Sequence, residues 1–204
     1  TVFLGALADL GVEVWPEVMR GMQARVLQTM ARFNTVDVQD LIHSLYHMSA
    51  SVSPPLVEAL QRKTLASIPL FPHSAIPETM LFFAAVGGPR NLEHPGGRRI
   101  LENPRLTDAL LEAARGAAHL FSAHELPALL RAAAALGETT RFDGQISGTT
   151  RPPFDHCWSN FVEAMQERAM HTSRDLAPGG VVGLMCALAE MGEVASAPLV
   201  AARE

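Results

Sequence analysis

FSAHELPALLRAAAALGE, residues 121–138, decides the fold. Leu126, Leu130, Ala134 and Leu136 precede Gly137 by 11, 7, 3 and 1 positions, and Phe121 precedes it by 16. Spacings of this kind trace one face of an α-helix. The small residue at Ala134 leaves room for a second helix, and Gly137 suits a helix C-cap that needs a left-handed backbone.

The same columns recur along the chain. Segments LGALADLG, IHSLYHMS, MLFFAAVG, LRAAAALG and MCALAEMG end at Gly11, Ser49, Gly87, Gly137 and Gly192, with spacings of 38, 38, 50 and 55. The position seven before each end is apolar throughout: Leu4, Ile42, Met80, Leu130 and Met185. The position sixteen before holds Phe33, Phe71, Phe121 and Leu176. A second helix precedes each of these aromatic or leucine positions. Val18, Leu56, Leu106 and Phe161 lie fifteen residues back, and Met22, Leu60, Leu110 and Met165 eleven back. Pro16, Pro54, Pro55, Pro104, Pro152 and Pro153 stand at or before its starts, where the first-turn N–H groups need no intrahelical acceptor.

The unit is therefore a helical hairpin: a first helix closing on glycine and a second opening on proline. The fold class expected is all-α, an α-solenoid of about five stacked hairpins with a 38-residue basic period and two loop insertions. The units run over about 1–33, 34–71, 72–121, 122–176 and 177–204, as a single array. GGPRNLEHPGGRRILENP and TTRFDGQISGTTRPP are the insertions, both expected as loops. The terminal units carry no polar cap, so the chain is expected to be a section of a longer protein.

Two segments in particular, 121–138 and LAPGGVVGLMCALAEMGE at 176–193, resemble the repeat core of octotricopeptide and heptatricopeptide repeat proteins, the RAP-protein-like organellar repeats. Residues 33–50 and 71–88 look like weaker copies. Ser49 stands where that pattern closes on glycine, and the insertions interrupt the third and fourth units. The resemblance implies organellar RNA work: binding single-stranded RNA, or bracing rRNA in a divergent mitochondrial ribosome. It implies a mitochondrial location, with the plastid as alternative, and RNA and neighbouring proteins of a large complex as partners. The alternative function is a protein–protein scaffold without RNA contact, because solenoids serve both ends.

Composition tests that implication. The 204 residues carry 16 basic and 21 acidic side chains, a net charge of -5, and Lys63 is the one lysine. Such a balance opposes a chain-wide electrostatic grip on RNA. The charge is unevenly divided, however. The first helices of the hairpins and their flanks sum to -9, and the second helices to +2. Eight residues before the aromatic column stand Arg25, Lys63, Ala113 and Arg168. In stacked hairpins these positions align, so the basic ones would form a stripe able to follow a phosphate backbone. Arg20, Arg62 and Arg115 lie on the same helices and widen it. Insertion arginines Arg90, Arg98, Arg99, Arg141 and Arg151 are further RNA-binding candidates.

Other residues suggest chemistry less well. His43 and His47 are four apart, a spacing that holds metals, and Asp40 offers a third ligand. The intervening residues lack the glutamate of a zinc protease, so a surface pair without metal is expected. His156 and Cys157 adjoin, but no activating motif accompanies them. Cys186 falls at a small-residue position and is expected to pack. Two cysteines suggest a reducing compartment rather than a disulfide scaffold. No apolar run is long enough for a membrane span. No phosphate-loop motif is present, and the reading assigns no catalytic residue, cofactor or small-molecule substrate.

Overall fold

The computed structural model describes residues 2–10, 14–48, 51–87, 104–146, 155–176 and 178–190. Among these the chain is all-helical, without a strand. The helices are α1 (Val2–Asp9), α2 (Pro16–Thr29), α3 (Thr35–His47), α4 (Pro54–Ser67), α5 (Ala75–Gly87), α6 (Pro104–Gly116), α7 (Leu126–Ile146), α8 (Asp155–His171) and α9 (Pro178–Glu190). The odd-numbered helices form one layer, α1 on α3, α3 on α5, α5 on α7 and α7 on α9. The even-numbered helices form the other, α2 on α4, α4 on α6 and α6 on α8. Helices α3–α4, α5–α6 and α7–α8 also pack on each other.

Local chemistry sets the boundaries. Helices α2, α4 and α6 open on Pro16, Pro54 and Pro104, whose fixed φ and missing N–H suit a first turn. Each even helix then tightens into a 3₁₀ turn: Met30–Arg32, Ile68–Leu70, Ala118–Leu120 and Ser173–Asp175. The next residue is extended in every case. Phe33, Phe71, Phe121 and Leu176 have φ near -70° and ψ of 131, 136, 132 and 116°. Each donates its N–H to the carbonyl three residues back, that of Met30, Ile68, Ala118 and Ser173. The aromatic column is thus the residue at which the chain turns from one layer to the other.

A polar cap follows the turn. Asn34 Oδ1 accepts the Asp37 N–H at 3.0 Å, and Asp37 Oδ2 accepts the Asn34 N–H at 3.0 Å, a reciprocal capping box. At the corresponding place Glu125 Oε2 accepts from the Ser122 N–H at 2.8 Å and from its hydroxyl at 2.7 Å. These hydrogen bonds, the backbone one first, hold the Glu125 carboxyl below its ordinary range.

Most of the column positions lie in the core, Val18 at 47% exposed being an exception. Leu56, Leu60, Leu106, Leu110, Phe161 and Met165 are buried on the even helices, and Val38, Ile42, Ile76, Met80, Leu126 and Leu130 on the odd ones. Two buried polar side chains are satisfied by backbone groups. Gln23 on α2 donates to the Ser51 carbonyl at 2.7 Å and accepts the Ser53 N–H at 2.8 Å, fixing the approach to α4. Ser44 is buried and donates to the Asp40 carbonyl within α3 at 2.6 Å.

Several expectations are corrected. The segment after Gly137 was expected as a loop, but α7 continues unbroken to Ile146. Once the Ala-rich part has nucleated the helix, each further residue adds a hydrogen bond without a new nucleation cost. Gly137 is not its cap, because it lies buried within the helix against the Trp158 ring of α8. A Cβ there would stand 2.7 Å from Trp158 Cη2, so the glycine allows close approach rather than a turn. Residues 147–154 and the first insertion, 88–103, lie outside the described residues. Leu130 and Met185 share a column but not an environment: Leu130 is 1% exposed and Met185 42%. Cys186 is also exposed rather than packed. With Val182 these two occupy the side of α9 away from buried Leu184, Ala187 and Leu188.

Candidate functional site

The basic positions sort into three groups. Arg25 and Arg62 are exposed on α2 and α4, and Lys63 is half-buried beside Arg62. Arg25 contacts Gln28 within its own helix, Nη1 to Oε1 3.3 Å. Helix α2, which carries Arg25, packs on α4, which carries Arg62 and Lys63.

Arg20 and Arg115 are exposed but already paired within their helices. Arg20 Nη2 lies 3.0 Å from Glu17 Oε1. Arg115 binds Glu112 bidentately along one guanidinium edge, Nε donating to Oε2 at 2.8 Å and Nη2 to Oε1. That pairing holds Glu112 below the usual carboxylate range. These arginines are balanced charges rather than open ones.

Arg168 turns inward. Its Nε donates to the Phe121 carbonyl at 2.9 Å, tying α8 to the extended residue at the turn before α7. The guanidinium thereby satisfies a backbone acceptor that the turn leaves without a helical partner. Arg141 sits in the continuation of α7, and its side chain lies outside the described residues. Arg90, Arg98, Arg99 and Arg151 lie outside them altogether.

Between α6 and α8 is a smaller polar group. Burial, reinforced by the nearby Asp108 and Glu112 carboxylates, pushes the Cys157 thiol up. Burial likewise raises Asp108, whose Oδ1 is enclosed without a hydrogen-bond partner among the described residues. A raised thiol pKa keeps Cys157 protonated at neutral pH, the opposite of what a nucleophile needs.

The histidines form the other convergence. His43 and His47 project from successive turns of α3, with ring centroids 4.4 Å apart. Helix α5 packs against α3 and places Glu78 between them. Glu78 Oε1 lies 2.7 Å from His43 Nδ1 and 3.0 Å from His47 Nε2. Asp40, which the sequence offered as a third ligand, lines the adjoining cleft with Gln39 and Thr79 but stands outside this trio. The sequence spacing found the histidines. It missed Glu78 because the carboxylate comes from 35 residues downstream of His43, across a helix pair.

No helix among the described residues is long and apolar enough to cross a membrane. No family model matches the chain, and no curated protein matches it.

Proposed function

We propose that this chain is an organellar α-solenoid that binds or braces RNA, most concretely a structural component of a divergent mitochondrial ribosome in contact with rRNA. The solenoid reading, stacked hairpins on a 38-residue period, is supported by the recurrent turn. The same 3₁₀ step and extended Phe or Leu follow each of α2, α4, α6 and α8. Two layers with neighbour-to-neighbour packing are what such an array requires.

The observation that carries the RNA part is the placement of Arg25, Arg62 and Lys63 on the two packed helices α2 and α4. Packed helices lie about 8–10 Å apart, a separation a single-stranded phosphate backbone spans within two nucleotides. Phosphate contacts of this kind position RNA without reading its sequence. The acidic odd layer would face neighbouring proteins.

A second reading, a protein scaffold without RNA contact, is favoured by exposed apolar side chains. Trp15 is 75% exposed and Val18 47%, beside Val182 and Met185 at the other end of the described array.

Titration against single-stranded RNA at two salt concentrations separates the two. The proposal expects binding at low salt that weakens as salt rises. Changing Arg25, Arg62 and Lys63 together to Glu should abolish it, with the helical circular-dichroism signal unchanged. Absence of binding at low salt would leave the scaffold reading. Arg168 is kept intact in this test because its hydrogen bond to Phe121 is structural.

A further inference from the structure

The geometry points to a divalent-metal site of Zn²⁺ type formed by His43, His47 and Glu78. Three features carry it. The donor set is two imidazoles and one carboxylate, a combination that Zn²⁺ accepts with a fourth position left to water. The donor atoms already converge, all lying within 4.8 Å of one another. Finally, they come from two separately packed helices, so the convergence is set by the α3–α5 contact and not by one flexible turn.

The distances fit. A tetrahedral ion held at about 2.0–2.1 Å from each donor separates the donors by about 3.3 Å. His43 Nδ1 and His47 Nε2 lie 2.7 and 3.0 Å from the same Glu78 oxygen. The carboxylate pairs must open by about 0.6 and about 0.3 Å, and the two imidazole nitrogens lie within 4.8 Å of each other. The side chains have freedom for it, being 46%, 51% and 29% exposed. In the absence of an ion, each imidazole can direct an N–H at Oε1. Moving those protons to the opposite ring nitrogens frees two lone pairs toward the same point.

The surroundings suit a bound ion. Gln39 and Asp40 line the cleft beside the trio. The Gln39 amide nitrogen is enclosed and has no hydrogen-bond partner among the described residues. Thr79 spends its hydroxyl on the Ala75 carbonyl at 2.7 Å and does not compete. The ion would clip two consecutive odd-layer helices together. This inference stands apart from the RNA reading, since it uses none of the same residues.

The test is calorimetric titration of Zn²⁺ alone into the whole chain, with Co²⁺ absorption as a geometric readout. One ion should bind per chain in the micromolar range, and Co²⁺ should give the strong visible bands of a tetrahedral site. At about a hundred times the dissociation constant, Zn²⁺ should raise Tm by roughly 5–10 °C. Glu78→Gln should weaken binding at least about tenfold, and His43→Gln with His47→Gln should remove it. His124→Gln, at an exposed histidine elsewhere, should leave it unchanged. Zn²⁺ affinity indifferent to Glu78→Gln would overturn the three-donor site, as would the lack of any saturable binding below millimolar Zn²⁺.

Discussion

Replacing Gly137 by Ala tests how α7 passes α8. An ideal Cβ at this position stands 2.7, 3.1 and 3.5 Å from Trp158 Cη2, Cζ3 and Cζ2. Carbon atoms in contact settle at about 3.5–4.0 Å, so the indole must retreat by about 1 Å. Overpacking of this size costs about 1–3 kcal/mol. Against it stands the helix preference of Ala over Gly, worth about 1 kcal/mol in an interior position. The clash wins, and Gly137→Ala should destabilise by about 1 kcal/mol, lowering Tm by about 2–4 °C. In a Trp158→Ala background the ring is gone, and the same substitution should stabilise by up to about 1 kcal/mol. The cycle therefore gives a coupling of about 2 kcal/mol between touching residues. Urea unfolding followed by far-ultraviolet circular dichroism measures it without relying on the tryptophan. A glycine needed for a left-handed cap would instead lose stability in both backgrounds. Equal stabilisation in both would refute the close-approach argument, because no clash would then exist for the ring to relieve.

Further outcomes follow from other contacts. Leu130→Asp places an unpaired carboxylate in a site that is 1% exposed and should cost at least about 3 kcal/mol, seen as early, broadened melting. Arg168→Ala should cost about 1–2 kcal/mol in urea unfolding by removing a charged donor from the Phe121 carbonyl, and Lys should not restore it, lacking a donor at the Nε position. The Glu125 carboxyl is lowered by its Ser122 hydrogen bonds, so its stabilising effect is present above the unfolded pKa and lost as pH falls through the folded one. Glu125→Gln should accordingly flatten the acid limb of a Tm-against-pH profile. Thiol labelling at neutral pH should modify exposed Cys186 well before Cys157, whose thiol is raised by burial.

The helices and their buried faces were legible because burial imposes a helical spacing. Leu56 and Leu106, or Ile42 and Met80, repeat a role that the core enforces, and their spacing reports it directly. The turn at Phe71 and Phe121 was legible as a column but not as a 3₁₀ step, since that step is a hydrogen-bond choice with no fixed residue. Gly137 misled because a cap and a close approach both select glycine, and only the position of Trp158 tells them apart. Met185 and Cys186 misled for a related reason. A column position predicts burial only where a neighbouring helix lies over it, and none of the described residues covers that side of α9. The candidate basic positions were visible as a column of residue types. Pairing partners such as Glu17, Glu112 and the Phe121 carbonyl decide which members remain available, and only geometry supplies those.

The neighbour-to-neighbour order of the two layers has a mechanical consequence. A globular core resists deformation in every direction because each element touches many others. Here the principal packing of α5 is with α3, α6 and α7, and that of α4 with α2, α3 and α6. In a stacked array of the proposed kind a small slip at each seam would add along the row, so that the assembly would bend over its length. Such compliance would let one sequence fit a surface whose curvature it did not itself determine. A metal clip between α3 and α5 would stiffen that row at one chosen joint.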